Sequence, residues 1–187
     1  MMRRLRHFAL AIAMLVLAAV ALLAFVARPA LSKDRDRVDE AWRPLRPPLV
    51  QRYGQLRTAL DSLKAAGIGG RKVVGDTEAT LARWDSLLHT VAADADTESE
   101  VGVANTLEGE LLRLHAAIAA SARLKANADV VGKFHAVDVT TPEPKLVDAY
   151  NAAARRYQNT REGLLRRYAA DVFGFDARPN LEMSGSG

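Results

Sequence analysis

The chain has 187 residues, with 26 Lys and Arg, 22 Asp and Glu, and no cysteine. This length fits one ordinary domain with a further segment attached, and the lack of cysteine excludes a disulfide scaffold and thiolate metal sites. The net charge of +4 would suggest a nucleic-acid binder. However, without Arg3, Arg4 and Arg6 the chain has 23 basic and 22 acidic residues, so we expect no nucleic-acid partner.

The first predicted element is an apolar segment, residues 8–27, which contains no charged, amide or hydroxyl side chain. As a helix it would be about 30 Å long, the thickness of a bilayer's hydrocarbon core. A cleaved signal peptide is the alternative, but Phe25 and Arg28 stand where a cleavage site needs small residues. We predict an uncleaved transmembrane helix. The basic flank, residues 1–7, favours a cytoplasmic N-terminus and an extracytoplasmic remainder.

The next predicted element is an amphipathic helix that ends in the glycine-rich stretch at residues 67–70. Three prolines, Pro44, Pro47 and Pro48, predict a kink or a restart near Pro47. Apolar residues recur every three or four positions, which is typical of one helix face packed against a core. This apolar stripe consists of Val38, Trp42, Leu45, Leu49, Arg52 or Tyr53, Leu56, Leu60 and Leu63.

Two further helices are predicted from the same spacing. One begins near Asp76 and ends near Asp94. The other begins at Thr97, where Glu100 three residues later completes a capping box. The pattern weakens around Asn127, and the β-branched residues 137–140 are too few to form a sheet.

The last predicted helix has Thr141 as its N-cap and Pro142 at its first position, and Gly174 ends it. Tyr150 and Tyr157, together with Tyr168, are predicted to pack on its apolar face. Four helices with short connections indicate an all-α fold: an N-terminal transmembrane helix followed by an antiparallel up-and-down four-helix bundle. We expect the bundle to cover residues 31–178 and residues 179–187 to be disordered.

The sequence predicts no catalytic, cofactor-binding or metal site, and we expect the protein not to be an enzyme. No histidine lies three or four residues from another, and no phosphate-binding loop or nucleophile elbow is present. His89 and His115 are interpreted as ordinary boundary residues. A metal-dependent enzyme would require these two histidines to converge with acidic side chains.

One cluster of side chains is a candidate contact for anionic lipid headgroups or an acidic partner. A solvated helix face is the alternative interpretation of the same residues. The cluster consists of Arg155, Arg156, Arg161, Arg166 and Arg167.

Four short motifs occur in the order seen in LemA family proteins: residues 38–42 (VDEAW), 124–127 (LKAN), 149–151 (AYN) and 173–175 (FGF). Over residues 31–183 the chain resembles a divergent member of this family. The resemblance implies a bacterial membrane protein with an N-terminal transmembrane helix and an antiparallel helical bundle, and it supplies no catalytic residue. Two stretches depart from the family pattern: residues 47–52, which begin with two prolines, and residues 139–144, which contain Pro142 and Pro144.

The expected function is a non-enzymatic interaction or scaffold module at the bacterial membrane. Its expected partners are the lipid bilayer and an unidentified membrane or envelope protein, and self-association is left open. The alternative is an extracytoplasmic ligand-sensing bundle. Because the chain has one apolar span, such a sensor would have to signal through a partner.

Overall fold

The computed structural model describes residues 14, 25, 26, 28–89 and 97–184. Over these residues all regular secondary structure is helical and no strand is present, which confirms the all-α prediction. The predicted basic flank and most of the predicted transmembrane segment lie outside the described residues. Within the described part, no helix combines the length and the apolar composition that a membrane crossing requires.

The described residues form a series of consecutive helices. Helix α1 covers residues 28–42 and is followed by a 3₁₀ turn at Arg43–Leu45. The remaining helices are α2 (Arg46–Ala65), α3 (Lys72–His89), α4 (Thr97–Ala119), α5 (Ala122–Lys125), α6 (Ala128–Val139), α7 (Pro144–Arg161) and α8 (Leu164–Phe173). These residues form two compact units. Unit 1 combines residues 1–38 with 153–178, and unit 2 combines residues 39–152 with 179–187.

The core of unit 2 is built on the predicted apolar stripe, whose residues are buried from Trp42 to Leu63. Helix α2 packs against α6 and α3, and α3 packs against α4. Trp84 of α3 meets Tyr53 of α2 edge to face, with ring centroids 5.0 Å apart. Each fully buried leucine contributes about 1.5–3 kcal/mol, whereas an exposed ion pair contributes about 0–1 kcal/mol. The apolar stripe therefore dominates the stability of unit 2.

The prolines act as predicted at the start of α2. The 3₁₀ turn ends the preceding helix, and α2 restarts at Arg46 with Pro47 and Pro48 in its first turn. A proline there removes an N–H group that would have no partner within the helix. At the other end, Gly67 adopts φ = 81° and closes the helix, also as predicted.

Helix α6 was not predicted. Its N-cap is Asn127, whose Oδ1 accepts hydrogen bonds from the backbone N–H groups of Asp129 (3.1 Å) and Val130 (3.2 Å). Val130, Phe134 and Val137 are buried at helical spacing. Helix α3 also begins four residues before its predicted start, and its predicted end lies outside the described residues.

The predicted last helix is two helices, because Gly163 breaks it. Gly163 is the N-cap of α8 and has an extended backbone (ψ = 132°), which a helix cannot continue through. The predicted N-cap at Thr141 is also wrong, since α7 begins at Pro144. Gly174 does end α8, in the left-handed conformation at φ = 67°.

Unit 1 is held together by polar contacts around a small core. The buried Tyr157 donates a hydrogen bond from its hydroxyl to the backbone carbonyl of Asp176 at 2.9 Å. Burial raises the pKa of this hydroxyl, and the nearby Arg178 and Arg161 partly offset the rise. The Asp34 carboxylate accepts hydrogen bonds from Thr160 and from Arg37, both at 2.7 Å.

Candidate functional site

The most elaborate polar arrangement in unit 2 surrounds residues 179–184, which we call the 179–184 segment. The sequence predicted disorder from residue 179 onward. That prediction is wrong for this segment, which has no regular secondary structure yet is held by side chains of α2, α4 and α7. Residues 185–187 lie outside the described residues. The segment is ordered because helix side chains satisfy its backbone polar groups.

Two asparagines hold the backbone of the segment. Asn151 of α7 donates from Nδ2 to the carbonyl of Leu181 (3.0 Å), and its Oδ1 accepts from the N–H of the same residue (2.7 Å). Asn105 of α4 donates to the carbonyl of Asn180 (2.8 Å) and accepts from the N–H of Glu182 (2.8 Å). Each asparagine thus pairs its donor and its acceptor with the main chain.

This pairing indicates an extended backbone. In a strand, the N–H and C=O of one residue point to one side, and the groups of its two neighbours point to the other. Asn151 contacts both groups of Leu181, whereas Asn105 contacts the flanking carbonyl and N–H. The two helices therefore hold the segment from opposite sides, as neighbouring strands would hold a strand in a sheet.

The 179–184 segment thus lies in a groove between Asn105 of α4 and Asn151 of α7, which we call the groove of unit 2. Further side-chain contacts fix the position of the segment along this groove. Leu181 is 3% exposed, so its side chain is buried. Tyr150, whose ring lies 5.3 Å from that of Trp42, donates a hydrogen bond to the carbonyl of Pro179 at 2.9 Å. Beside Leu181 and Met183 lies an open cleft of about 300 Å³, whose opposite wall is formed by the chain from Thr141 to Val147.

A buried ion pair closes the end of the groove. Arg52 of α2 and Glu108 of α4 pair through two hydrogen bonds, of 2.8 and 3.1 Å. Neither residue is more than 2% exposed. The Glu108 carboxylate accepts from the backbone N–H of Ser184 (3.0 Å) and from its hydroxyl, and Arg52 donates to the same hydroxyl (3.0 Å). The hydroxyl of Ser184 thus joins the two charges.

The remaining donors of Arg52 tie three parts of unit 2 together. Its Nη1 donates to the carbonyl of Val137 (2.6 Å), at the end of α6, and to the hydroxyl of Thr141 (3.0 Å). Next to the ion pair, burial raises the pKa of Tyr53 well above its usual value, and the charge of Glu108 adds to this rise. The site is thus built to hold charges by hydrogen bonds in a dry environment.

A second buried carboxylate lies near the N-terminal end of unit 2. Glu100, predicted to reach back to Thr97, accepts hydrogen bonds from Trp42 Nε1 (2.5 Å) and from Arg46 (2.6 Å). It therefore connects α4 with the chain around the 3₁₀ turn. The start of α4 is thereby joined to the end of α1 and the start of α2.

The five candidate arginines are divided between α7 and α8. Arg155 is exposed, and the largely exposed Arg156 lies 3.5 Å from Asp34. Arg161 is half-buried and donates to the backbone carbonyl of Phe175 at 2.9 Å. Arg166 and Arg167 are exposed on α8. Arg156 and Arg161 therefore have contacts within the protein, and the other three remain candidates for an external one.

The structure also places the predicted tyrosines and one of the two boundary histidines. Tyr150 and Tyr157 are buried, but Tyr168 is 52% exposed, so its predicted core position is wrong. His115 lies 3.5 Å from Asp138 and packs edge to face against Phe134. Within the described residues, no three His, Asp or Glu side chains come together in a way that could hold a metal ion.

Sequence reasoning missed Asn105, Glu108 and the role of Arg52. One signal was available, because asparagine is a poor helix former and both Asn105 and Asn151 stand in helix interiors.

No protein-family model, curated protein or solved structure matches the chain. The fold and site therefore define an all-α protein with a groove that holds an extended segment through side-chain amides.

Proposed function

We propose that this is a membrane-anchored helical-bundle protein of the LemA type, whose antiparallel bundle works as a non-enzymatic interaction or scaffold module. The observation that carries the interaction role is the groove of unit 2. Its side chains pair with the main chain of a bound segment and bury one leucine, which is how binding sites for extended peptides work.

The membrane role is supported by the apolar segment at residues 8–27. Its described residues, Met14, Phe25 and Val26, are between 64% and 71% exposed. Large apolar side chains without protein cover need another apolar environment, and a bilayer supplies one. A span of this length without a charge is long enough to cross the hydrocarbon core.

Contacts in unit 1 support a lipid-facing position for α8. Phe173, its last residue, lies under the guanidinium of Arg28, 5.3 Å from ring centroid to Cζ. Arg28 directly follows the apolar segment, so in an anchored protein it would lie at headgroup level. Helix α8 exposes Tyr168 and Val172. Together with the exposed Arg166 and Arg167, these side chains suit contact with anionic headgroups.

Two experiments test the proposal. A compartment-specific reporter fused after Gly187 should be active outside the cytoplasm, since we propose a cytoplasmic N-terminus and an extracytoplasmic bundle. Strong cytoplasmic activity would contradict this orientation. Crosslinking in native membranes, followed by mass spectrometry, should recover reproducible protein neighbours. Their absence, including the absence of self-crosslinks, would contradict the interaction role.

A further inference from the structure

We propose that the groove of unit 2 also binds the 179–184 segment of a second copy, so that two copies associate by exchanging this segment. The inference deepens the proposed function and rests on its membrane anchor. It names the partner as an extended peptide with a leucine at its centre and a hydroxyl residue three positions later. That description is met by Leu181 and Ser184 of another copy.

The first argument is complementarity. Four consecutive backbone groups of the segment, from the carbonyl of Asn180 to the N–H of Glu182, are paired by Asn105 and Asn151. The side chain of Leu181 is buried. The same segment from another copy would make every one of these contacts without any change of side chain.

The second argument is energetic. When identical elements are exchanged between copies, the contacts in the exchanged and closed forms are the same. The equilibrium between the forms then depends on the connecting chain and on the concentration of the copies. Residues 175–178, which lead into the segment, have no regular secondary structure. Side chains of α7 nevertheless hold three of their carbonyls, those of Phe175, Asp176 and Arg178. An exchange that keeps these contacts therefore changes the course of the chain between Arg178 and Pro179, where no helix is broken.

The third argument is local concentration. Binding between copies becomes favourable when the effective concentration of the second segment approaches that of the internal one. Anchoring in a membrane confines the copies to a thin layer at one orientation, which raises this concentration. Ser184 adds specificity, because its hydroxyl and its N–H contact the buried Glu108 carboxylate.

The test is a crosslink between two differently tagged full-length copies in membranes. The protein has no cysteine, so one copy carries Glu182→Cys and the other carries Thr106→Cys, the exposed position that follows Asn105. A short bismaleimide crosslinker should join the two cysteines and give a product that carries both tags. One chain with both substitutions, which should link internally, shows that the positions are within reach. Glu162→Cys, also an exposed glutamate, replaces Glu182→Cys as the matched control and should give no more than collisional product.

A second substitution, Leu181→Asp, distinguishes exchange from chance contact. Placed in the copy that carries Thr106→Cys, it weakens the internal competitor and should raise the two-tag product about tenfold, the effect of one buried leucine. Placed in the copy that carries Glu182→Cys, it should lower the product by the same factor. Because the substitution is the same in both, a general folding defect cannot produce opposite effects.

A peptide with the sequence of residues 178–184 should compete and lower the yield, and the same peptide with aspartate in place of leucine should not. Any of three results would overturn the exchange. They are crosslinks that are all internal, equal effects of Leu181→Asp in both copies, and crosslinks from Thr106→Cys solely to other proteins. The last of these outcomes would leave the proposed interaction role standing. Loss of all protein neighbours in native membranes would contradict that role itself.

Discussion

Replacing Arg52 by methionine tests the reasoning about the buried ion pair. The substitution removes the only cation paired with Glu108 among the described residues and leaves that carboxylate 2% exposed. The carbonyl of Val137 loses its 2.6 Å contact as well. Removing one partner of a buried pair costs about 3–5 kcal/mol. Since whole domains are stable by about 5–15 kcal/mol, Arg52→Met should remove a large part of the stability.

Replacing both partners should cost much less than the sum of the two single substitutions. With Arg52→Met and Glu108→Leu together, neither position carries a charge, so the double substitution leaves no unpaired charge at this pair. The remaining loss is the contacts to Ser184, Val137 and Thr141, at about 1 kcal/mol for each hydrogen bond. The coupling between the two positions should therefore be at least about 2 kcal/mol.

The assay is denaturant unfolding of the full-length chain in detergent, followed by the fluorescence of the buried Trp42 and Trp84. Arg57→Met on the same helix is the control, because Arg57 pairs with Asp85 at the surface, where each side chain is about 40% exposed. It should cost about 1 kcal/mol or less. Additive effects of the Arg52 and Glu108 substitutions, or equal effects at positions 52 and 57, would refute the reasoning.

Three other substitutions have defined outcomes. Asn151→Ala should lower the free energy of unfolding by about 1–3 kcal/mol and speed hydrogen exchange of the Leu181 amide, measured by mass spectrometry. Unchanged exchange would contradict the role of Asn151 in holding the Leu181 backbone. Burial raises the pKa of Glu110 above 4.5, so the wild type loses stability as pH rises through that raised value. Glu110→Gln should therefore be more stable than the wild type at pH 7 and lose this advantage below pH 4.5. A difference in melting temperature between the two proteins that does not change with pH would contradict this. Gly174→Ala should cost about 1 kcal/mol, because φ is 67° there; an unchanged melting temperature would count against it.

Most of the helical core could be predicted from the sequence. The stripe from Trp42 to Leu63 repeats at helical spacing over six turns, and local spacing alone identifies such a face. Helix α6 was missed because its twelve residues include Gly132 and only three buried positions. The break at Gly163 was missed because Tyr157, Leu164 and Tyr168 keep a helical spacing across it.

The site could not be predicted, because its contacts join distant parts of the chain. Asn105 and Asn180 are 75 residues apart, and Arg52 and Ser184 are 132 residues apart. The helical periodicity placed Arg52 or Tyr53 in the apolar stripe, but it did not indicate that Arg52 pairs with a buried carboxylate. The fold brings this arginine of α2 to the Glu108 carboxylate of α4, 56 residues away in the sequence. Composition predicted disorder for residues 179–187 for the same reason. Asn105 and Asn151, which hold the 179–184 segment, are distant from it in the sequence.

Alkaline extraction of membranes that contain the full-length chain tests the central claim, membrane anchoring, most directly. The protein should stay in the membrane pellet. The variant with both Leu17→Arg and Val20→Arg should move to the supernatant, since each arginine near the centre of a span costs about 2.5–3.5 kcal/mol. Leu112→Arg, at an exposed position of α4, is the control and should stay in the pellet. Release of the wild-type protein, or equal retention of the double-arginine variant, would contradict the anchor.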